Sequence, residues 1–390
     1  MPTHARRVAG FGTTIFTEIN NMARQYGAVN LGQGMPDFDG PREVVEAAVR
    51  ALRSGSANQY PPAPGIPELR EGVARHAAAF YNLEVDPETG VLVTPGATEA
   101  IFCSIMGLVD PGDEVIVIEP FFDSYVPGVH MAGATPVYVS LHPPDWRLDA
   151  DELRGAFNER TRAIIVNTPN NPTGRVFTRA ELELITAACR EHDVVVIADE
   201  VYEHLLFDDA RHIPIAGLPG MFERTVTIGS AGKTFGMTGW KIGWVYGPPE
   251  LVTGVWRAIQ FTSFATNHPA QVAVAHAFTL GSAYYEEYQA LYHGKRALMM
   301  QALAGAGLKA SAPEGTYFVM ADFSDLFEGD DVAFTRHLVT EIGVSCIPPS
   351  AFFSAGHRHL TADHVRFAFC KNDDTLHMAG ERMAALRRQR

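Results

Sequence analysis

Short runs of aliphatic and β-branched residues alternate with helix-length segments through the middle of this chain, and that alternation constrains the fold more than any other feature. The runs lie at Val91–Thr94, 114–118, 135–139, 163–167, 194–198, 225–228 and 242–245, with helical patterns at Ala97–Leu108, Arg179–Glu191 and 250–263 among the intervening segments. Each run is close to continuously apolar rather than apolar at every second position. A strand of that kind has no solvent face, so the sheet must be covered on both sides, and strands separated by helices pair in parallel. The expected core is a three-layer α/β/α domain around a mostly parallel sheet.

On either side of this core the pattern changes. An amphipathic stretch at 15–25 leads into Asn30-Leu-Gly-Gln-Gly-Met-Pro-Asp37, whose glycines, proline and aspartate mark irregular backbone. Residues 41–53 read as a helix, with Pro41 at its start and Gly55 beyond its end. Tyr60-Pro-Pro-Ala-Pro-Gly65 permits only a loop. A long helix is expected at 282–304, ended by Gly305 and Gly307, followed by strands at 316–321 and 365–369 and helices at 332–342 and 374–386. These segments give a large α/β domain over 46–290 and a smaller α+β domain built from both chain ends, 1–45 and 291–390.

The chain has 390 residues, 46% of them hydrophobic, and a formal charge of −14. Such an acidic surface argues against nucleic acid or an anionic membrane as partner, so any phosphate must be held by local geometry. Cys103, Cys189, Cys346 and Cys370 are far apart and show neither metal spacing nor a CxxC pair, the pattern of small buried residues in a reducing compartment. Neither a secretory leader nor an apolar run of membrane length is present, and a cytoplasmic protein is expected, with no metal.

Gly229-Ser-Ala-Gly-Lys-Thr234 follows an expected strand and invites a nucleotide-loop reading. That loop needs a glycine five positions before Gly232, where Thr227 stands inside the strand, so the reading fails. A lysine at a strand end, flanked by small residues, suits a different task. In an open α/β sheet ligands bind beyond the C-terminal strand ends, and there burial and nearby cations turn a lysine into a nucleophile toward an aldehyde. Two preceding strands end in Asn167-Thr-Pro-Asn-Asn-Pro172 and Asp199-Glu-Val-Tyr202. Three strand ends thus deliver Asn171, Asp199 with Tyr202, and Ser230 with Lys233 to one crevice. Those groups answer the needs of a pyridoxal ring: a carboxylate for the pyridinium nitrogen, donors for the phenolate oxygen and a lysine for the aldehyde.

With these motifs the chain resembles the fold-type I pyridoxal 5′-phosphate enzymes, the class I/II aminotransferases, and within them the kynurenine aminotransferase and glutamine transaminase K group. The resemblance runs from about Phe16 to Asp374 and rests on Asn30-Leu-Gly-Gln-Gly34, Asn58-Gln-Tyr60, Glu119-Pro-Phe-Phe-Asp123, Asn167-Thr-Pro-Asn-Asn-Pro172, Ser230-Ala-Gly-Lys-Thr234 and Arg366-Phe-Ala-Phe369. It implies Lys233 as the Schiff-base lysine, Asp199 as partner of the ring nitrogen, and Asn171 and Tyr202 as donors to the phenolate oxygen. Phe122 is implied to stack on the ring. Ala97 and Thr98 at a helix start, with Ser230 and Lys241, are implied to hold the phosphate. Lys241 stands where many relatives carry arginine, which keeps the charge and loses the bidentate fork. Arg366, with Asn171 and the Gly34 backbone, is implied to grip the substrate carboxylate.

The resemblance further implies a homodimer with shared active sites, in which Tyr60 completes the phosphate cup of the other subunit and the Phe264 segment approaches its substrate. Phe16 and Ala265 stand where relatives carry tryptophan and histidine, so the pocket wall is apolar but altered. Arg175 and Arg179 read as solvated charge. The expected reaction is ping-pong transfer of an amino group from a neutral, hydrophobic, aromatic or sulfur-containing L-amino acid to a 2-oxo acid. Two readings stay open beside it: N-succinyl-diaminopimelate aminotransferase, which the Asn58-Gln-Tyr-Pro-Pro loop and Trp240-Lys-Ile-Gly-Trp244 also suit, and a β-lyase acting on cysteine S-conjugates. A transcriptional regulator on the same fold would need a basic DNA-binding module, for which the chain has no residues to spare.

Overall fold

The computed structural model describes residues 4–389. Its strands, in chain order, are β1 (Val29–Asn30), β2 (Val91–Thr94), β3 (Glu114–Glu119), β4 (Thr135–His142), β5 (Arg147–Leu148), β6 (Thr161–Asn167), β7 (Val195–Asp199), β8 (Thr225–Ser230), β9 (Gly243–Tyr246), β10 (Phe318–Asp322), β11 (Val344–Ser345) and β12 (His364–Ala368). Eight of them form one sheet in the order β2-β9-β8-β7-β6-β3-β4-β5. The run from β8 to β4 is parallel, while β9 lies antiparallel to both β8 and β2, and β5 antiparallel to β4. Strands β2, β3, β7, β8 and β9 are buried along their whole length, as continuous apolar runs require. Separate apolar clusters cover the two faces, one containing Ile101, Val117 and Ile197, the other Ile116, Ile164 and Val196. The mostly parallel three-layer arrangement expected from the sequence is the one observed.

Register positions the site. Asn167 on β6 aligns with Asp199 on β7, and Asp199 with Ile228 on β8, so three strands end side by side. On the antiparallel flank Ser230 pairs with Gly243, and Gly243 with Thr94. That pairing draws Gly96, Ser230 and the residues before Gly243 to one level. Gly243 has no room for a side chain: a Cβ there would lie 2.7 Å from Gly96 C and 2.8 Å from Ala97 N.

The chain ends meet through two small sheets. Val29 on β1 pairs in parallel with Val344 on β11, and β10 pairs antiparallel with β12, placing Met320 opposite Arg366. Residues 46 and 290 fall inside the helices Arg42–Ser54 and Ser282–Ala306 rather than in linkers. The first of these packs its Val44 and Ala47 with Leu69 and Val274, on the side of the large sheet.

Most expected elements are present, with shifted ends. The helix expected at 250–263 stops at Ile259, where turns lead to Phe264 at φ 63°. The one at 282–304 continues through Gly305 to Ala306, and Gly307, at φ 87°, caps it in the left-handed region. The segment 332–342 splits into an α-helix, Asp331–His337, and a wider turn, Leu338–Ile342. Helices Pro67–Tyr81 and His268–Ala277 have no counterpart among the expectations. All four cysteines are buried and free. Among the described residues no helix is long and apolar enough to cross a membrane.

Candidate active site

Beyond the ends of β6, β7 and β8 lies a cavity lined by Gly96, Ala97, Thr98, Phe122, Asn171, Asp199, Tyr202, Ser230, Lys233 and Lys241, among others. Nine of the residues expected from the sequence to hold a cofactor therefore share one space. Lys233 enters from the short helix Ala231–Thr234, immediately after β8. Its Nζ donates to the Tyr317 hydroxyl at 2.5 Å, and Tyr317 in turn donates to the Gly34 carbonyl at 2.9 Å. Burial lowers the Lys233 amine to about 8, aided by the cations Lys241 and Arg366 and opposed by Cys370 and Asp199. About a tenth of the amine is then neutral at pH 7, far more than an ordinary lysine supplies.

Asp199 closes β7 at 4% exposure. One carboxylate oxygen, Oδ2, accepts from the Tyr125 hydroxyl at 2.5 Å, while Oδ1 is buried and has no partner among the described residues. Burial raises this carboxyl to about 6, against the Tyr125 hydrogen bond, the Val201 backbone and Lys233. An unmatched buried carboxylate oxygen is costly unless a donor arrives. A protonated pyridine nitrogen is such a donor. Asn167 braces the same corner, its side chain donating to the Asp199 carbonyl at 2.8 Å and accepting from the Asn171 N–H at 2.9 Å.

The opposite end of the cavity suits an anion. Helix Ala97–Leu108 begins at Gly96, φ 80°, and no side chain caps it, so its first N–H groups are free. A Cβ on Gly96 would lie 3.1 Å from Lys241 Nζ, which places that ammonium at the mouth of the helix. Lys241 itself is held at φ 54°, in the left-handed region. Ser230 adds a buried hydroxyl. A lone carboxylate oxygen at one end, a helix start with a cation at the other and an amine between them fit pyridoxal phosphate.

Arg366 lies outside that cavity lining, on β12, at 1% exposure. Nη1 donates to Asn171 Oδ1 at 2.9 Å and Nη2 to the Gly32 carbonyl at 2.6 Å, while Nε is unpaired among the described residues. Phe318, Phe352 and Phe16 surround the guanidinium at 4.1, 5.1 and 5.3 Å from their ring centres. Burial lowers its pKa only to about 10, so it stays cationic. No salt bridge to Arg366 is present among the described residues, which leaves the charge for a ligand. Gly34 is packed too closely for a side chain, since a Cβ would meet Phe318 and Tyr317 at 2.7 Å.

Tyr60 and Phe264 stand apart from the cavity. Tyr60 is 83% exposed and Phe264 50%, and their rings meet edge to face at 5.6 Å on the surface of the same chain. Arg175, read from the sequence as solvated, is in fact enclosed: Nη2 pairs with Glu181 at 2.6 Å and Nη1 with the Asp145 and Trp146 carbonyls. Sequence reasoning missed Tyr125 and Tyr317, which hold Asp199 and Lys233. Tyr125 follows the Glu119–Asp123 motif by two residues, and that adjacency was its only signal; Tyr317 carried none.

Comparison with known proteins agrees with this geometry. The family model for aminotransferase class I and II matches residues 26–383. The solved structure of N-succinyldiaminopimelate aminotransferase from Mycobacterium tuberculosis superposes with TM-score 0.95 at 46% identity, covering 98% of this chain and all of that one. YbdL from Escherichia coli, described with a methionine aminotransferase function, gives 0.94 at 37% identity, over 98% of this chain and all of its own. Human kynurenine–oxoglutarate transaminase 1 is 41% identical over 97% of each chain. The chain belongs to the class I and II aminotransferases and is a pyridoxal phosphate-dependent enzyme of fold type I.

Proposed function

We propose that this aminotransferase takes its amino group from a neutral L-amino acid with an apolar, aromatic or sulfur-containing side chain and passes it to a 2-oxo acid in a ping-pong cycle. When bound, the cofactor supplies an aldehyde and an electron-withdrawing ring. The chain's residues do the rest. Lys233 Nζ takes the proton from the substrate Cα and returns it, as general base and acid. Asp199 keeps the ring nitrogen protonated. Asn171, its oxygen engaged by Arg366, has N–H groups left for the phenolate oxygen, with the Tyr202 hydroxyl beside it. Phe122 covers the ring face. Ala97, Thr98, Ser230 and Lys241 hold the phosphate, and Tyr60 from a second subunit completes that cup in a homodimer. Arg366 and the Gly34 backbone orient the substrate carboxylate.

The single observation that carries the substrate reading is the aromatic collar of Phe16, Phe318 and Phe352 around the one guanidinium given to the α-carboxylate. A second reading, transamination of N-succinyl-diaminopimelate, is favoured by the 46% identity to the mycobacterial enzyme over nearly the whole chain. A half-reaction screen separates them. Mixed in excess with phenylalanine, methionine, glutamine or kynurenine, the enzyme is expected to lose its visible cofactor absorbance rapidly. Loss with N-succinyl-diaminopimelate alone would overturn the first reading in favour of the second. The division into a large unit over 46–290 and a small one from both ends also remains a proposal, supported by the pairing of β1 with β11.

A further inference from the structure

One cluster takes no part in transamination. His76, on helix Pro67–Tyr81, faces Glu203 and His204, which lie in the turn that follows Asp199. The three side chains are 4, 6 and 9% exposed. His76 Nε2 and His204 Nε2 are 2.7 Å apart, and Glu203 Oε1 lies 3.9 Å from the first and 4.0 Å from the second. Neither imidazole is within hydrogen-bonding distance of that oxygen. A point equidistant from all three atoms, in their plane, sits about 2.1 Å from each, inside the Zn–N and Zn–O range of about 2.0–2.2 Å, and the two nitrogens, now at hydrogen-bonding distance from each other, would part on binding to reach tetrahedral angles.

The surroundings support a cation here. A neutral imidazole keeps one ring-nitrogen lone pair for a metal, and both Nε2 atoms here point into the same buried space as the Glu203 carboxylate. Phe80, Tyr81, Phe278 and Tyr285 surround the His76 ring, and the Tyr81 hydroxyl is also a hydrogen-bond partner of Glu203, an outer contact that helps orient the carboxylate. The neighbouring carboxylate, Glu200, is already matched by His212 at 2.9 Å. Two imidazoles with one carboxylate suit zinc and similar borderline divalent ions, and offer too few oxygens for calcium or magnesium.

We propose that His76, Glu203 and His204 form a binding site for a zinc-like divalent cation, tying helix Pro67–Tyr81 to the turn that carries Tyr202. The site lies outside the transamination machinery and stands independently of the substrate reading. Chelator-treated holoenzyme titrated with zinc chloride in a calorimeter is expected to take up one ion per chain saturably, with a rise in Tm. Cobalt(II) in its place is expected to give the visible d–d absorbance of mixed nitrogen and oxygen ligands. His204→Gln and His76→Gln should each weaken zinc binding at least about tenfold while leaving the bound-cofactor spectrum, the sign of a folded protein, in place. Folded wild-type enzyme that takes up no zinc saturably would overturn the proposal, as would equal binding by wild type and both variants. Should a variant fail to fold, the cobalt spectrum of the wild type decides: absence of d–d bands on saturation counts against the site.

Discussion

The cleft at the ends of β6, β7 and β8 and the surface corner of Tyr60 and Phe264 are built on opposite terms. In the cleft Asn171, Asp199, Tyr202, Ser230 and Arg366 are buried, Lys233 is half-buried, and the key groups are braced by neighbours from the same chain: Tyr125 on Asp199, Tyr317 on Lys233, Asn171 and Gly32 on Arg366. At the corner two aromatic rings lean on each other in solvent, beside Phe261 at 86% exposure. Grouped exposed aromatics of this size mark contact surfaces. The contrast teaches that the cleft is braced within one chain, while the corner leaves its aromatic rings free for a contact, as the proposed shared phosphate cup requires.

That contrast can be broken from the cleft side first. Lys233→Ala removes the amine that lies between the two ends of the cavity, and transamination is expected to fall by about 10⁴-fold or more. Steady-state assays with added amines, which partly replace a missing lysine, would check this. Arg366→Gln leaves the fold of β12 but deletes the cation, so kcat/KM should drop about 100-fold, mostly through KM. Tyr125→Phe is subtler. The Tyr125 hydroxyl donates to the Asp199 carboxylate and so favours its ionised form. Without it the carboxyl moves up from about 6, and the acid limb of the kcat/KM profile should shift to higher pH, with a loss of about tenfold at neutral pH. An unmoved limb would remove Tyr125 from the account.

On the corner side the effects are smaller. Tyr60→Phe is expected to weaken cofactor retention only about 3- to 10-fold, leaving kcat nearly unchanged at saturating cofactor. Mixing Tyr60→Ala and Lys233→Ala chains sharpens the comparison. In a shared-site dimer the mixture contains one site with neither defect, so it should exceed the activity expected from its parts; strictly additive activity would mean that the sites are not shared.

What the sequence made legible follows from the same division. Strand ends are announced by local chemistry, so Asn171, Asp199, Ser230 and Lys233 could be placed by reading where β-branched runs stop. Their convergence then follows from parallel register, in which Asn167, Asp199 and Ile228 are aligned. Arg366 was recognisable because an arginine between Val365 and Phe367 demands a buried partner. Tyr125 and Tyr317 were not legible, because a tyrosine's hydroxyl partner lies far away in sequence and leaves no periodic trace. Arg175 was misread for the same reason. Its partner Glu181 looks like part of a helix start, and indeed also serves there, completing a capping box with Thr178. The His76 cluster joins a helix to a turn more than a hundred residues away, a distance at which spacing rules for metal ligands give no warning.

The account depends on Lys233 as the attachment point of the cofactor. Borohydride reduction of the holoenzyme followed by peptide mass mapping tests this directly. The reduced cofactor is predicted on the peptide containing Lys233 and on no other. Its appearance on Lys241 or elsewhere, with Lys233 unmodified, would contradict the assignment of the site.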